Sequence, residues 1–261
     1  MSVRFSAIPG LPPLLACFGL LALWEMAARV VGIAGLPPAH AALSELPAIL
    51  SDPEALLNIL HSIRRMSIGF VLALAIAVPL GLAMGRSRIV AAFFNPLLMM
   101  IYPVPKAALM PIIMLWLGIG DAPKTLVIFL GVSLPIIYHA YQGARAVEEK
   151  LLWSAAAMGM TQRWKLLRIV LAAALPETFA GVRTGLVLAL ITMVTSEMIA
   201  RQAGVGNILF NSLDMAQYDA VYATILIIAA LGFGLDLALE RLRSCLLAWA
   251  EPVYQIAVGT A

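Results

Sequence analysis

Residues 148–176 read EEKLLWSAAAMGMTQRWKLLRIVLAAALP, a charged insert set between two apolar runs. Together with Arg145 it holds more than a fifth of the chain's charged side chains. The run 151–158 predicts a short helix ended by Gly159, because glycine accepts the left-handed conformation that closes a helix. Thr161 is placed to cap a second helix over 162–175 through its hydroxyl. Ser154, Ala155 and Ala156 leave a flat helical face that another protein's surface can approach closely. The same pattern fits a helical hairpin that packs only on its own chain.

The rest of the sequence surrounds this insert with apolar segments. Of 261 residues, 62% are hydrophobic and 12% are charged, and the mean hydropathy is +0.97. Soluble domains run near ~45–50% apolar and ~25% charged. The composition therefore excludes a soluble enzyme, a disordered chain and a disulfide-rich secreted domain. A membrane span takes roughly 20 apolar residues, so about six spans would use ~120 of them. The expected architecture is all-α and polytopic, with about six transmembrane helices.

The spans are expected over 14–31, 63–84 (or 67–84), a third ending at Leu117, 125–141, 179–200 and 220–239. The first reads as a retained span rather than a cleaved signal, since its apolar run continues to Val31. It carries Glu25 and Arg29 four residues apart, in the favourable order for a helical pair. Residues 36–57 are more polar and suit an external loop or an interfacial helix. Gly81 and Gly85 form a small-residue pair that lets another helix approach the second span. Residues 90–118 are too long for one span: an interfacial or kinked part to Tyr102, a break at Pro103-Val104-Pro105-Lys106 and then the third span to Leu117 are expected. Pro176 and Glu177 suit the first turn of the fifth span. Residues 201–218 read as a loop bearing Gly, Asn and Asp.

Three units follow: 1–57 as an N-terminal span and external loop, 58–245 as the core, and 246–261 as a cytosolic tail. Lys and Arg in short loops favour the cytoplasmic side. With the N-terminus inside, that side receives Arg4, Arg86, Arg88, Arg145, Lys150, Arg163, Lys165, Arg168, Arg241 and Arg243. The other side receives Lys124 and Arg201, with Arg29, Arg64 and Arg65 near it. Both termini and the 142–175 insert are then expected in the cytosol.

Catalytic and metal motifs are missing from the sequence. His40, His61 and His139 lie far apart, and no G-x-x-x-x-G-K-[ST] loop exists to cradle nucleotide phosphates. No G-x-S-x-G elbow occurs. Cys17 and Cys245 sit in apolar runs and show neither zinc-ligand spacing nor a disulfide framework. A net charge of +3 is too small to suggest nucleic-acid binding. Ionisable residues inside spans are few, Glu197 being the most conspicuous. Arg201 stands four residues on, so Glu197 pairs with it at the helix end, acts as a gate on the Gly204–Gly206 turn, or contacts the substrate directly. Proton- or sodium-coupled carriers usually show more intramembrane charge. If this protein pumps, its energy should come from another polypeptide.

Several motifs resemble those of ABC importer permeases. Ser154-Ala155-Ala156, then Gly159, then Leu175-Pro176 is similar to the cytoplasmic E-A-A loop of that family. Pro103-Val104-Pro105, Ala108-Leu109, Pro111, Trp116 and Gly118-Ile119-Gly120 resemble the nitrate/sulfonate/taurine importer subfamily. Pro79-Leu80-Gly81, and Glu197 followed by Gly204-Val205-Gly206, extend the similarity, which runs from about Leu36 to Arg243. Trp153 replaces the loop's usual acid and Ala172 a frequent proline; Glu148 and Glu149 are out of register with the missing acid.

The resemblance implies a type I importer permease fold in a bacterial inner membrane. It implies a second permease copy, a cytosolic ATPase dimer that binds ATP and Mg, and an external solute-binding protein; this chain itself would hold no cofactor. Trp153, Ser154, Ala155, Ala156, Gly159 and Thr161 would couple to the ATPase. Pro103, Pro105, Glu197, Gly204 and Gly206 would belong to the pathway or its gate. The cargo would be a small anion such as a sulfonate, taurine or nitrate. The alternative function is an ATP-independent carrier or channel, and a third is a non-transporting assembly subunit.

Overall fold

The computed structural model describes residues 11–249, and all regular structure among them is helical. Arg4, counted above toward the cytoplasmic side, and 250–261 of the expected tail lie outside the described residues. Five helices are long and apolar enough to cross a membrane, or six if one bent pair counts as a span.

The bundle is built on three long helices: α3 (Pro53–Arg86), α6 (Asp121–Arg145) and α9 (Leu171–Ala200). Asp52 caps α3, its carboxylate accepting from the N–H groups of Glu54 and Ala55, with Pro53 in the first turn where no donor is needed. Met66, Ala73 and Ala77 of α3 meet Ile128, Val132 and Ile136 of α6, and Ala189 and Met193 of α9. Lipid tails are as apolar as these side chains, so close backbone approach must replace the hydrophobic effect as glue. Gly81 and Gly85 supply it, as the spacing predicted. A methyl group on Gly81 would lie 2.6 Å from the Ala140 Cβ, and one on Gly85 2.5 Å from that of Ala144.

At the periphery, α1 (Leu11–Val31) and α2 (Ala39–Ser51) are tied by Glu25. Its carboxylate lies 2.6 Å from Arg29, as the i, i+4 spacing predicted, and also accepts the His40 backbone N–H at the start of α2. Trp24 packs on Tyr222 of α11 (Tyr218–Leu246), their ring centres 5.4 Å apart.

The third hydrophobic segment bends where expected. Helix α4 (Arg88–Ile101) and the segment Lys106–Leu117, which contains α5 (Met110–Leu117), meet at 84°. Pro103 and Pro105 cannot continue α4, and Lys106 offsets the lost hydrogen bonds. Its Nζ donates to the carbonyls of Ile101 and Val104, each at 2.6 Å. The bend lets Met110 and Ile113 of α5 fold back against Val127 of α6 and Ala200 of α9.

Two expectations are corrected. Residues 201–218 are not a plain loop but contain α10 (Val205–Asp214). Nor does Pro176 open the fifth span. One continuous helix runs from Gln162 to Ala200: α8 (Gln162–Lys165), a π-helical stretch Leu166–Val170, and α9, with Pro176 inside it. Proline can sit within a helix when local π adjustments and neighbouring helices absorb the missing donor.

Candidate functional site

Apart from Pro103 and Pro105, the sequence-derived site residues fall into two groups at opposite ends of α3. Near Arg86, helix α7 (Glu149–Ala157) lies beside the start of α8, and a groove of about 360 Å³ between them is lined by Trp153, Ala156 and Lys165 among others. The turn after α7 is a Schellman motif. The Met160 N–H donates to the Ala155 carbonyl at 3.0 Å, the Gly159 N–H to Ala156 at 2.9 Å, and Gly159 has φ +78°. Gly159 thus holds the expected left-handed position. Thr161 stands at the N-cap of α8, but its side chain makes no cap hydrogen bond. Ala155 is also not part of the open face. It is fully buried, while Ser154 and Ala156 are exposed and Trp153 is 65% exposed. Arg168 stacks over Trp164, 4.3 Å from the ring centre, which stiffens the start of the long helix.

At the other end of α3, Glu197 is fully buried inside a polar knot. The Ser62 hydroxyl donates to its carboxylate, 2.8 Å from either oxygen, and Arg65 Nη1 donates to Oε1 at 2.8 Å. The Gly206 N–H donates to Oε2 at 3.1 Å, and the Val205 N–H to the Ser62 oxygen at 2.8 Å. These are the free donors of the first turn of α10, so the carboxylate completes that helix's N-terminus.

The Arg65 Nη1 and Lys124 Nζ groups both donate to the Ala203 carbonyl, at 2.8 and 3.0 Å, and the Gly204 N–H donates to Asn58. Asp121 faces Arg64 and Arg65. Both glycines are dictated by this packing. Gly204 has φ +123°, and a methyl group there would overlap the Glu197 carboxylate; one on Gly206 would lie 2.6 Å from the Val194 carbonyl.

Glu197, Gly204 and Gly206 are therefore brought together, but the expected Glu197–Arg201 pair is absent. Arg201 ends α9 with φ 43°, which breaks the helical register that an i, i+4 pair requires. It turns to Asp214 at 3.0 Å and lies over the Phe210 ring, fastening the C-terminal half of α10. Pro103 and Pro105 are exposed at the α4–α5 bend and touch neither group. The residues missed from sequence are Asn58, Ser62, Arg65 and Lys124. Asn58, Ser62 and Arg65 recur at helical spacing, which places them on one face of α3. No cluster of three metal-binding side chains occurs among the described residues.

Two polar assemblies at opposite ends of an apolar bundle, one open and one sealed, describe a device that spans a membrane. The family described as "Binding-protein-dependent transport system inner membrane component" matches residues 58–244. The chain belongs to this family. It is 30% identical over 237 residues to the taurine transport system permease protein TauC of Escherichia coli, covering 88% of this chain and 86% of that one. It is 28% identical over 236 residues to the putative aliphatic sulfonates transport permease protein SsuC of Bacillus subtilis, covering 88% and 84%. Among solved structures, inward-facing MetNI methionine ABC transporter superposes with a TM-score of 0.60 at 14% identity, over 73% of this chain and 95% of that chain. This inner-membrane component thus has an ABC importer permease fold, and the matched region begins within α3 and closes near the end of α11.

Proposed function

We propose that the chain supplies half of the membrane pathway of an ATP-driven importer, as one of two permease copies. A separate ATPase dimer, which holds ATP and Mg, docks on α7 from the cytosol, and an external solute-binding protein delivers the cargo to the Glu197 end. Both termini are cytoplasmic. Residues 58–245 form the working core, 1–57 an outer span and external segment, and 246–261 a tail. The cargo is a small anion, by analogy with the taurine and sulfonate permeases.

The observation that carries this reading is the form of α7. Its short helix is closed rigidly by Gly159 and exposes Trp153, Ser154 and Ala156 at the end bearing Arg86, Arg145, Lys150, Arg163, Lys165 and Arg168. Excess Lys and Arg in short loops is the mark of the cytoplasmic side. A large aromatic anchors a docking surface without the salt dependence of an ion pair, so Trp153 takes over from the family's acid. Closure of the ATPases then moves α7 as a unit with the long helix behind it. At the far end, the Glu197 knot holds the Gly204–Gly206 turn closed. The Pro103–Pro105 bend gives the third segment the freedom to follow the swing between the two facing states.

Purification of the tagged chain co-expressed with its ATPase tests the docking. The parent should retain the ATPase through washing, and Ala156→Arg should lose it while still inserting in the membrane. Equal recovery from both would refute α7 as the docking element.

A further inference from the structure

Between α3, α4, α6 and α9 the bundle forms a half-open cavity of about 700 Å³, within the range of small-ligand pockets. Leu98, Met99, Leu134 and Ile137 make much of its wall apolar. Its polar groups are mostly hydrogen-bond donors. The Tyr141 hydroxyl accepts from Arg145 Nη1 at 3.0 Å, and the Tyr138 hydroxyl accepts from Gln142 Nε2 at 2.9 Å. Each phenol, having its oxygen engaged as acceptor, keeps its own proton to donate. No Asp or Glu lines the cavity, and Arg145 forms no ion pair among the described residues. His139 also reaches the wall, but its Nδ1 is taken by Glu177 at 2.7 Å. The cavity thus pairs one uncompensated guanidinium and two phenolic donors with an apolar lining.

We propose that this cavity is a binding site for a small organic oxyanion: a carboxylate- or sulfonate-type headgroup held by Arg145, Tyr138 and Tyr141, with a short apolar body against Leu98, Met99 and Leu134. As a stage on the transport route it rests on the importer reading above; as a binding site it does not. The wall selects by charge, because a cation would meet Arg145 with no carboxylate to offset it. Its apolar wall of Leu98, Met99, Leu134 and Ile137 favours an apolar body behind the headgroup. Arg145 is the specificity-determining residue, and Tyr138 and Tyr141 direct the headgroup.

The test uses the full chain in nanodiscs, open to both faces, with Cys17→Ser and Cys245→Ser and a single reporter, Asn95→Cys or Thr184→Cys. Both reporter positions line the cavity. Each is reacted with 2-sulfonatoethyl methanethiosulfonate and with its trimethylammonium analogue, and every rate is divided by that of the same reagent with a free thiol. The sulfonate reagent should be favoured about tenfold at both reporters. Arg145→Gln should erase the preference and Arg145→Lys should retain it. Rates indifferent to Arg145→Gln would overturn the proposal. So would failure of both reporters to react while an exposed Gln162→Cys control does, since an acyl chain or a second copy would then fill the cavity. ATP-driven uptake of a short alkanesulfonate, measured on the same protein with its partners, separates the two ideas. Charge-selective labelling without uptake leaves the site and removes the importer reading; uptake with charge-blind labelling does the reverse.

Discussion

Arg65 and Glu197, 132 positions apart in sequence, form a buried ion pair at 2.8 Å that joins α3 to α9. The pair is not isolated. Ser62 and the first turn of α10 share the same carboxylate, so one side chain fixes two helices and a turn. Breaking a buried pair on one side leaves an uncompensated charge, which costs more than the pair itself contributes.

Arg65→Met and Glu197→Leu alone should each destabilise the chain by about 3–5 kcal/mol, while the double variant should lose less than the sum of the two. Thermal unfolding in detergent, read as a double-mutant cycle, checks this. Additive losses would show that the two charges do not depend on each other. Ser62→Ala, which removes the hydroxyl's bond to the carboxylate and also takes the acceptor from the buried Val205 N–H, should cost at least about 1.5–3 kcal/mol.

Gly159 and Gly204, two of the four positive-φ glycines among the described residues, should respond differently to the same change. Gly159 has nothing within 4 Å of an added methyl group, so Gly159→Ala bears only the backbone penalty of about 1–2 kcal/mol. Gly204→Ala adds a collision with Glu197 and should cost about 3 kcal/mol or more. Equal melting temperatures for the two variants would contradict the packing described for the turn.

Within α7, adjacent alanines should separate stability from docking. Ala155 is buried against the chain's own helices, so Ala155→Arg should lower the yield of folded protein. Ala156→Arg and Trp153→Ala should leave the yield intact and weaken ATPase recovery. A loss of about 1.4 kcal/mol at that interface is a tenfold loss of affinity. Unchanged recovery from Trp153→Ala would show that the indole is not an anchor.

These pairs also show what one-dimensional reading can reach. Interactions within one turn were legible: Glu25 with Arg29, Gly159 closing α7, and the bend that Pro103 and Pro105 force. The close approach of Gly81 and Gly85 was legible too, because small residues four apart form a groove whatever their partner. The Glu197 knot was not, since its partner lies on a helix 132 positions away and a nearer cation offered itself. Arg201 satisfied the i, i+4 rule on paper, but the helix ends beneath it. Helix α10 was hidden because its N-terminus is capped by a distant carboxylate rather than by a local Ser or Asp. Pro176 misled for the opposite reason: it suits a first turn, yet the helix had already formed upstream through the π-helical stretch.

The orientation proposed above predicts a labelling pattern in intact cells. With both native cysteines replaced, Ser51→Cys should react with an impermeant maleimide from outside, and Gln162→Cys only after permeabilisation. Both positions are exposed, so either is accessible once its side of the membrane is reached. The reverse pattern would invert the topology and place α7 outside, where no ATPase could reach it.

Uptake by the reconstituted complex tests the central claim most directly. The chain is placed in proteoliposomes with its ATPase outside, which makes that face cytosolic, and labelled taurine with the solute-binding protein is enclosed within. Taurine should leave the lumen when ATP and Mg are added outside, and should stay with a non-hydrolysable analogue or without the binding protein. Movement at the same rate without ATP would contradict the account and make the chain an ATP-independent carrier or channel.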